Sequence, residues 1–274
     1  MMQRVYGLAF ETGEQLKEYK DKRSLAMQRD HRKLNSKLRY FTISDEVGKG
    51  LPLWMPNGTV IRDELEKLAR EKEFLAGYKR VSTPHITRED LYFTSGHLPY
   101  YKESMFPPME MDGERLFLKP MNCPHHHMIY KAEPRSYRDL PLRLAEYGTC
   151  YRYEQSGELA GLLRVRGMTM NDAHIYCTPE QLTDECLKVN ELILSIYKDF
   201  GFQDVHIKLS TRPENRIGSD ESWDLSEEAL KTALNRAGMS YTIFEGEGAF
   251  YGPKLELSLI HISEPTRRTP ISYA

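Results

Sequence analysis

The sequence predicts an α+β fold, helices interspersed with strands that include one hairpin, and three observations carry that expectation. Residues 149–176 contain two strand-like runs, Cys150-Tyr151-Arg152-Tyr153-Glu154 and a return opening on Leu163-Arg164-Val165-Arg166, with Ser156-Gly157 and Gly161 in a polar loop between them. Helical periodicity recurs in residues 60–75, in 179–200 and in 221–237. Short strand-like runs at 78–83, 205–209 and 241–244 lie among those helices.

A chain of 274 residues with 40% hydrophobic content can bury a sizeable core, as one large or two modest domains. Its net charge of -2 gives no overall attraction to nucleic acid, so contact with RNA needs a local basic surface. Cys123, Cys150, Cys177 and Cys186 show no short paired spacing and follow no secretory signal, so a reducing, cytoplasmic setting without disulfides is expected. No apolar run approaches the roughly 20 residues that span a bilayer, and no membrane partner is expected.

Residues 12–34 are charged and rich in helix formers, and are expected to form an exposed helix. The run from Gly50 to Gly58 is closed by turn residues, and Ile61, Leu65, Leu68 and Leu75 then fall near one face of the 60–75 helix. Asp112-Gly113 marks a hairpin before Leu116. Thr178-Pro179-Glu180-Gln181 is a capping-box pattern opening a helix to about Phe200, stopped at Gly201. Its stripe of Leu182, Cys186, Val189, Ile193, Ile196 and Tyr197 is expected to face the core.

Two stretches carry chemistry. In the 149–176 hairpin, strand alternation would put Arg152 with Glu154 and Arg164 with Arg166 on shared sides. Arginine forks suit phosphate oxygens, although an exposed, salt-bridged hairpin has the same composition. The second stretch, Met121-Asn122-Cys123-Pro124-His125-His126-His127, gathers a thiol and imidazoles of the types that bind zinc; a buried small cysteine is the alternative.

Together the wording resembles the threonyl branch of the class II aminoacyl-tRNA synthetases: Met-Asn-Cys-Pro at 121–124, Arg-x-Glu at 152–154, Arg-Val-Arg-Gly at 164–167 and Asn-Asp-Ala-His at 171–174. The resemblance implies the class II catalytic fold, an antiparallel sheet flanked by helices, with motif 1 in residues 60–84, a homodimer built on it, and motif 2 in the 149–176 hairpin. It implies a linker helix over 1–35 and a catalytic core over 36–256. Cys123 and His174 would hold one Zn2+, with a third ligand outside this chain; His126 matches a histidine usual in the family and His125 replaces a glycine, and neither is assigned to the metal. Threonine would fill the open zinc positions with its amino group and hydroxyl, so that valine is rejected.

The resemblance further implies that Arg152 holds the ATP α-phosphate and the substrate carboxylate, Glu154 the adenine and Arg164 the outer phosphates. Met168 stands where an adenine-stacking phenylalanine is frequent, and Met170 where a substrate-contacting glutamine is frequent. Met121, Asp172 and Tyr251 would meet threonine, and Lys254 the carboxylate or phosphate side. ATP with Mg2+, threonine and tRNA(Thr) are the implied substrates of a ligase that forms a threonyl-adenylate. A non-catalytic, synthetase-like dimerisation or RNA-binding module is the alternative.

The resemblance ends at Glu256. Residues 257–274 look like a translated sequencing adapter joined to a truncated frame, so motif 3 is expected to be missing, the sheet incomplete at its C-terminal end, and the chain weakly active at best.

Overall fold

The computed structural model describes residues 9–202 and 205–259. At its N-terminal end Thr12 Oγ1 accepts from Gln15 N at 3.2 Å and starts α1 (Gly13–Arg29). Asp30 then takes an extended backbone, and its carboxylate accepts from Arg32 N at 2.8 Å to cap a second helix, α2 (His31–Leu38). The single helix expected over 12–34 is therefore two, broken where aspartate caps better than it propagates. Neither helix buries a residue.

Two short strands, β1 (Phe41–Thr42) and β2 (Leu53–Trp54), pair antiparallel and lead into α3 (Pro56–Leu75). Proline suits the first turn of α3, and the helix starts four residues before its apolar periodicity does. A Cβ on Gly58 would fall 2.0 Å from the Tyr40 carbonyl oxygen, so this glycine lets α3 seat against the strand pair.

The central sheet runs β3 (Lys79–Arg80), β7 (Leu142–Tyr151), β8 (Gly167–Tyr176). β7 and β8 are antiparallel along their whole length, from Leu142↔Tyr176 to Tyr151↔Gly167. β3 joins β7 in parallel. Beside it, β4 (Ile86–Arg88), β6 (Glu114–Leu118) and β5 (Met109–Met111) form an antiparallel sheet. Asp112 and Gly113, with φ of 53° and 79°, make its hairpin turn, as the Asp-Gly pair predicts. With α4 (Glu89–Thr94) and the short turn α5 (His97–Tyr100), this sheet encloses a cluster of Tyr92, Leu98, Met105 and Phe117. α6 (Cys123–Lys131) follows, with Pro124 in its first turn.

The C-terminal sheet has β9 (His206–Ser210) at its centre, parallel to β10 (Thr242–Phe244) and antiparallel to β11 (Lys254–Ser258). The central and C-terminal sheets thus each combine an antiparallel pair with one parallel pair. Helices α7 (Leu182–Asp199) and α8 (Asp220–Arg236) pack on one another beside them. Gln181 Oε1 accepts from Thr178 N at 3.0 Å ahead of α7, and Gly201, at φ 77°, closes it with Phe202 N donating to Tyr197 O at 3.0 Å.

Two expectations change. β11 continues past Glu256, with Leu257 paired to Ile207 and Ser258 to His206, because Leu255 and Leu257 keep the apolar alternation a strand needs. Among the described residues the α7 stripe does not sit in a filled core: Leu182, Cys186, Val189 and Ile193 line a cavity of about 210 Å³ with Leu230, Leu255 and Leu257. The buried positions on α7 are Glu185 and Asn190. Arg4 and the rest of residues 1–8, and His261 with the remainder of 260–274, lie outside the described residues.

Candidate functional site

Antiparallel pairing gives β7 and β8 a common face, on which Met168, Met170, Asp172 and His174 alternate opposite Cys150, Gly148, Glu146 and Leu144. The start of α6 lies over this face. Asn122 is fully buried there, its Nδ2 donating to Asp172 Oδ2 at 3.0 Å and its Oδ1 receiving the Cys150 thiol at 3.4 Å. Asn122 therefore fixes one oxygen of Asp172.

The next residue brings its thiol to the same place. One donor atom each from Cys123, Asp172 and His174 lie within 4.8 Å of one another, a sulfur, an oxygen and a nitrogen that together suit zinc. Burial and the Asp172 charge push the Cys123 thiol up to about 11. Burial holds the His174 imidazole down to about 4, so at neutral pH it keeps a ring lone pair. A divalent cation here would displace the thiol proton and relieve the carboxylate–thiolate repulsion. The donor set fits a metal, with Asp172 as a third donor that the sequence reading had given to the substrate alone.

Behind His174 lies a polar network with almost no solvent exposure. His174 Nδ1 and His126 Nδ1 are 2.9 Å apart, and His126 Nε2 is 3.0 Å from Glu146 Oε2. Glu146 also accepts from Thr83 N at 2.7 Å and from the Thr83 hydroxyl, and Lys119 Nζ donates to Thr83 Oγ1 at 2.6 Å. Burial works against ionisation of Glu146, but the His126 and Thr83 hydrogen bonds and the Lys119 charge outweigh it and hold the carboxyl below its usual range. His125 points elsewhere: both its ring nitrogens are buried without a partner among the described residues.

The phosphate-type cations sit at the open end of β7 and β8. The ladder closes at Tyr151↔Gly167, so Arg152, Glu154, Arg164 and Arg166 belong to the connecting loop and do not alternate on strands as the sequence suggested. One bond carries on past the ladder, Arg152 N donating to Arg166 O at 2.9 Å, but other segments take the next donors: Tyr153 N donates to Ser104 O, and Arg166 N to Gly50 O. Arg152 Nε donates to Pro120 O at 3.4 Å, and its Nη2 is 4.0 Å from the Met170 sulfur, which keeps it next to the metal-type cluster. Arg164 reaches Glu154 at 3.3 Å and Glu158 at 3.4 Å, a part-exposed pairing that a stronger anion can displace.

The remaining expected residues divide. The Met121 sulfur lies 3.2 Å from His97 Nε2 at the edge of the cluster. Burial and the nearby Cys123 and Asp172 raise the Tyr251 phenol, which places Tyr251 within electrostatic reach of both. Lys254, on β11, pairs with Glu256 at 2.7 Å and makes no contact with the cluster among the described residues. Asn122, Glu146, Thr83, Lys119 and His97 had been given no role. The only signal for Glu146 is a carboxylate that alternates in step with the apolar Leu142, Leu144 and Cys150, and Asn122 is visible only as the neighbour of Cys123.

This geometry and fold define the class II synthetase catalytic architecture, and the profile of the tRNA synthetase class II core domain (G, H, P, S and T) matches residues 105–269; the chain belongs to that family. The match runs past Glu256. Within the class the likeness is to threonyl-specific members. The chain is 54% identical over 259 residues to threonine–tRNA ligase of Deinococcus radiodurans, covering 93% of this chain and 40% of the relative. It is 51% identical over 263 residues to that of Geobacillus kaustophilus, covering 94% and 40%. The crystal structure of the RNA binding domain of threonyl-tRNA synthetase from Cryptosporidium parvum Iowa II matches with a TM-score of 0.78 at 42% identity, over 83% of this chain and 56% of that one. A putative threonyl-tRNA synthetase from Aeropyrum pernix matches with a TM-score of 0.71 at 35% identity, over 76% and 48%. The chain thus spans 40% of the length of the curated relatives it matches.

Proposed function

We propose that this chain carries the amino-acid activation site of a threonine–tRNA ligase, and that Cys123 and His174 hold the zinc of that site. The cluster of Cys123, Asp172 and His174 beside Arg152 is the observation that supports it. Bound zinc would supply a Lewis-acidic position that the amino group and hydroxyl of threonine can share. Asp172, anchored by Asn122, can accept a hydrogen bond from that metal-bound amino group. Met121 and Tyr251 line the approach.

Arg152 serves the reaction itself. As the threonine carboxylate attacks the α-phosphorus of ATP, negative charge grows on the phosphoryl oxygens, and a guanidinium already held by Pro120 O can stabilise it without reorganising. Glu154 and Arg164 flank the nucleotide, with Met168 packing on the base through its polarisable thioether. ATP arrives with Mg2+, and tRNA(Thr) accepts the activated threonine. Lys254 is assigned to the carboxylate or phosphate side once its pairing with Glu256 opens.

A homodimer belongs to the same reading. Ile61 and Leu65, one turn apart on α3, are exposed, as are Phe74 and Leu75 at its end. No helix among the described residues is long and apolar enough to cross a membrane, and the cytoplasm is the expected compartment.

Binding of a non-hydrolysable threonyl-adenylate analogue to the zinc-loaded chain tests the site. Arg152→Ala should weaken it at least tenfold; equal affinity would contradict the assignment.

A further inference from the structure

With His126 neutral, the network behind His174 has one consistent set of donors. Lys119 has only hydrogens to give, so Thr83 Oγ1 accepts from Nζ at 2.6 Å and turns its own hydrogen toward Glu146. Glu146 is a carboxylate and accepts on both oxygens, which requires a proton on His126 Nε2, 3.0 Å from Oε2. In a neutral His126 the other nitrogen, Nδ1, then carries a lone pair. That lone pair faces His174 Nδ1 at 2.9 Å, so His174 Nδ1 carries the proton and His174 Nε2 does not. The two rings meet edge to face, with centroids 4.6 Å apart, which suits a hydrogen bond in one ring plane and opposes stacking.

We propose that Glu146 and His126 are positioning residues: through directed hydrogen bonds they fix His174 as the Nδ1–H tautomer, leaving its Nε2 lone pair for the metal beside Cys123. The inference rests on the metal reading given above. Side chains that orient a ligating histidine typically change metal affinity by about 10 to 100-fold when removed. Burial makes the device rigid. His126 has no solvent exposure and Glu146 is 4% exposed, so water cannot replace either partner. His126 thereby acquires a task although it is not itself a ligand.

Two measurements on the 274-residue chain separate the relay from the metal reading. Long-range 1H–15N correlation of the metal-free protein should show His174 protonated at Nδ1 and His126 at Nε2; His174 protonated at Nε2 overturns the relay. Competition for Co2+ against a chromophoric chelator should show His126→Phe binding about 10 to 100-fold more weakly than wild type. His126→Asn, whose side-chain oxygen can accept from His174 Nδ1, should recover most of that loss. Far-UV circular dichroism identifies a variant that has not folded, and the tautomer measurement on wild type needs no variant to fold. Equal Co2+ affinity of wild type and His126→Phe overturns the positioning role. Equal affinity of wild type and Cys123→Ser overturns the metal reading and removes the purpose of the relay, whatever the tautomers.

Discussion

Asn122 packs directly over Gly148: a Cβ at position 148 would lie 2.2 Å from Asn122 Oδ1. The missing side chain is what allows the carboxamide to reach both Asp172 and Cys150. Gly148→Ala would push Asn122 away and cost about 2 kcal/mol from overpacking. Urea unfolding should show that loss, together with weaker zinc binding as Asp172 is released; unchanged stability would contradict the contact.

A second prediction concerns the far side of the sheet, where Arg143 on β7 donates from Nε and from Nη2 to the two oxygens of Glu185, each at 2.6 Å. Glu185 is buried, which alone would raise its pKa, but the Arg143 and Lys188 hydrogen bonds hold the carboxyl below its usual range. Arg143→Leu leaves the buried carboxylate with Lys188 as its remaining partner and should cost about 2 kcal/mol at neutral pH. The contribution is present above the ordinary carboxylate range and is lost as pH falls through the depressed folded value. Wild-type stability should therefore drop on acidification more steeply than that of Glu185→Gln, measured by chemical denaturation across pH.

His125 carries two buried ring nitrogens with no partner among the described residues. Unsatisfied buried polar groups cost about 1 to 3 kcal/mol. His125→Leu, which keeps the volume and removes the polar atoms, should leave stability unchanged or raise it by about 1 kcal/mol. A fall in the urea midpoint would show that these nitrogens are satisfied in solution.

The exposed pair Ile61 and Leu65 on α3 makes the dimer testable. Leu65→Lys puts a charge into an apolar contact, and sedimentation velocity should show the wild-type dimer dissociating in the variant without loss of helix signal. A monomeric wild type at tens of micromolar would contradict the dimer.

Much of the fold was legible because it depends on local chemistry. The Asp112-Gly113 turn, the Gly201 helix stop and the alternation that puts Asp172 with His174 each need only a few adjacent residues. The pairing of Cys123 with His174 was legible through the resemblance alone, since nothing in sequence spacing brings α6 onto β8. Residues 152–154 and 163–166 read as strand in sequence yet lie in the loop, because the competing acceptors, Ser104 O and Gly50 O, come from distant segments. Glu146 and Thr83 were not legible: a threonine and a glutamate far apart in sequence become partners only when β7 is laid beside the segment after β3.

Calorimetric titration of the zinc-loaded chain with threonine and with valine tests the central claim most directly. If the Cys123–His174 site reads the hydroxyl through zinc, threonine should bind at least about a hundredfold more tightly than valine, and Cys123→Ser should erase the difference. Equal binding of the two amino acids by the zinc-loaded chain would contradict it.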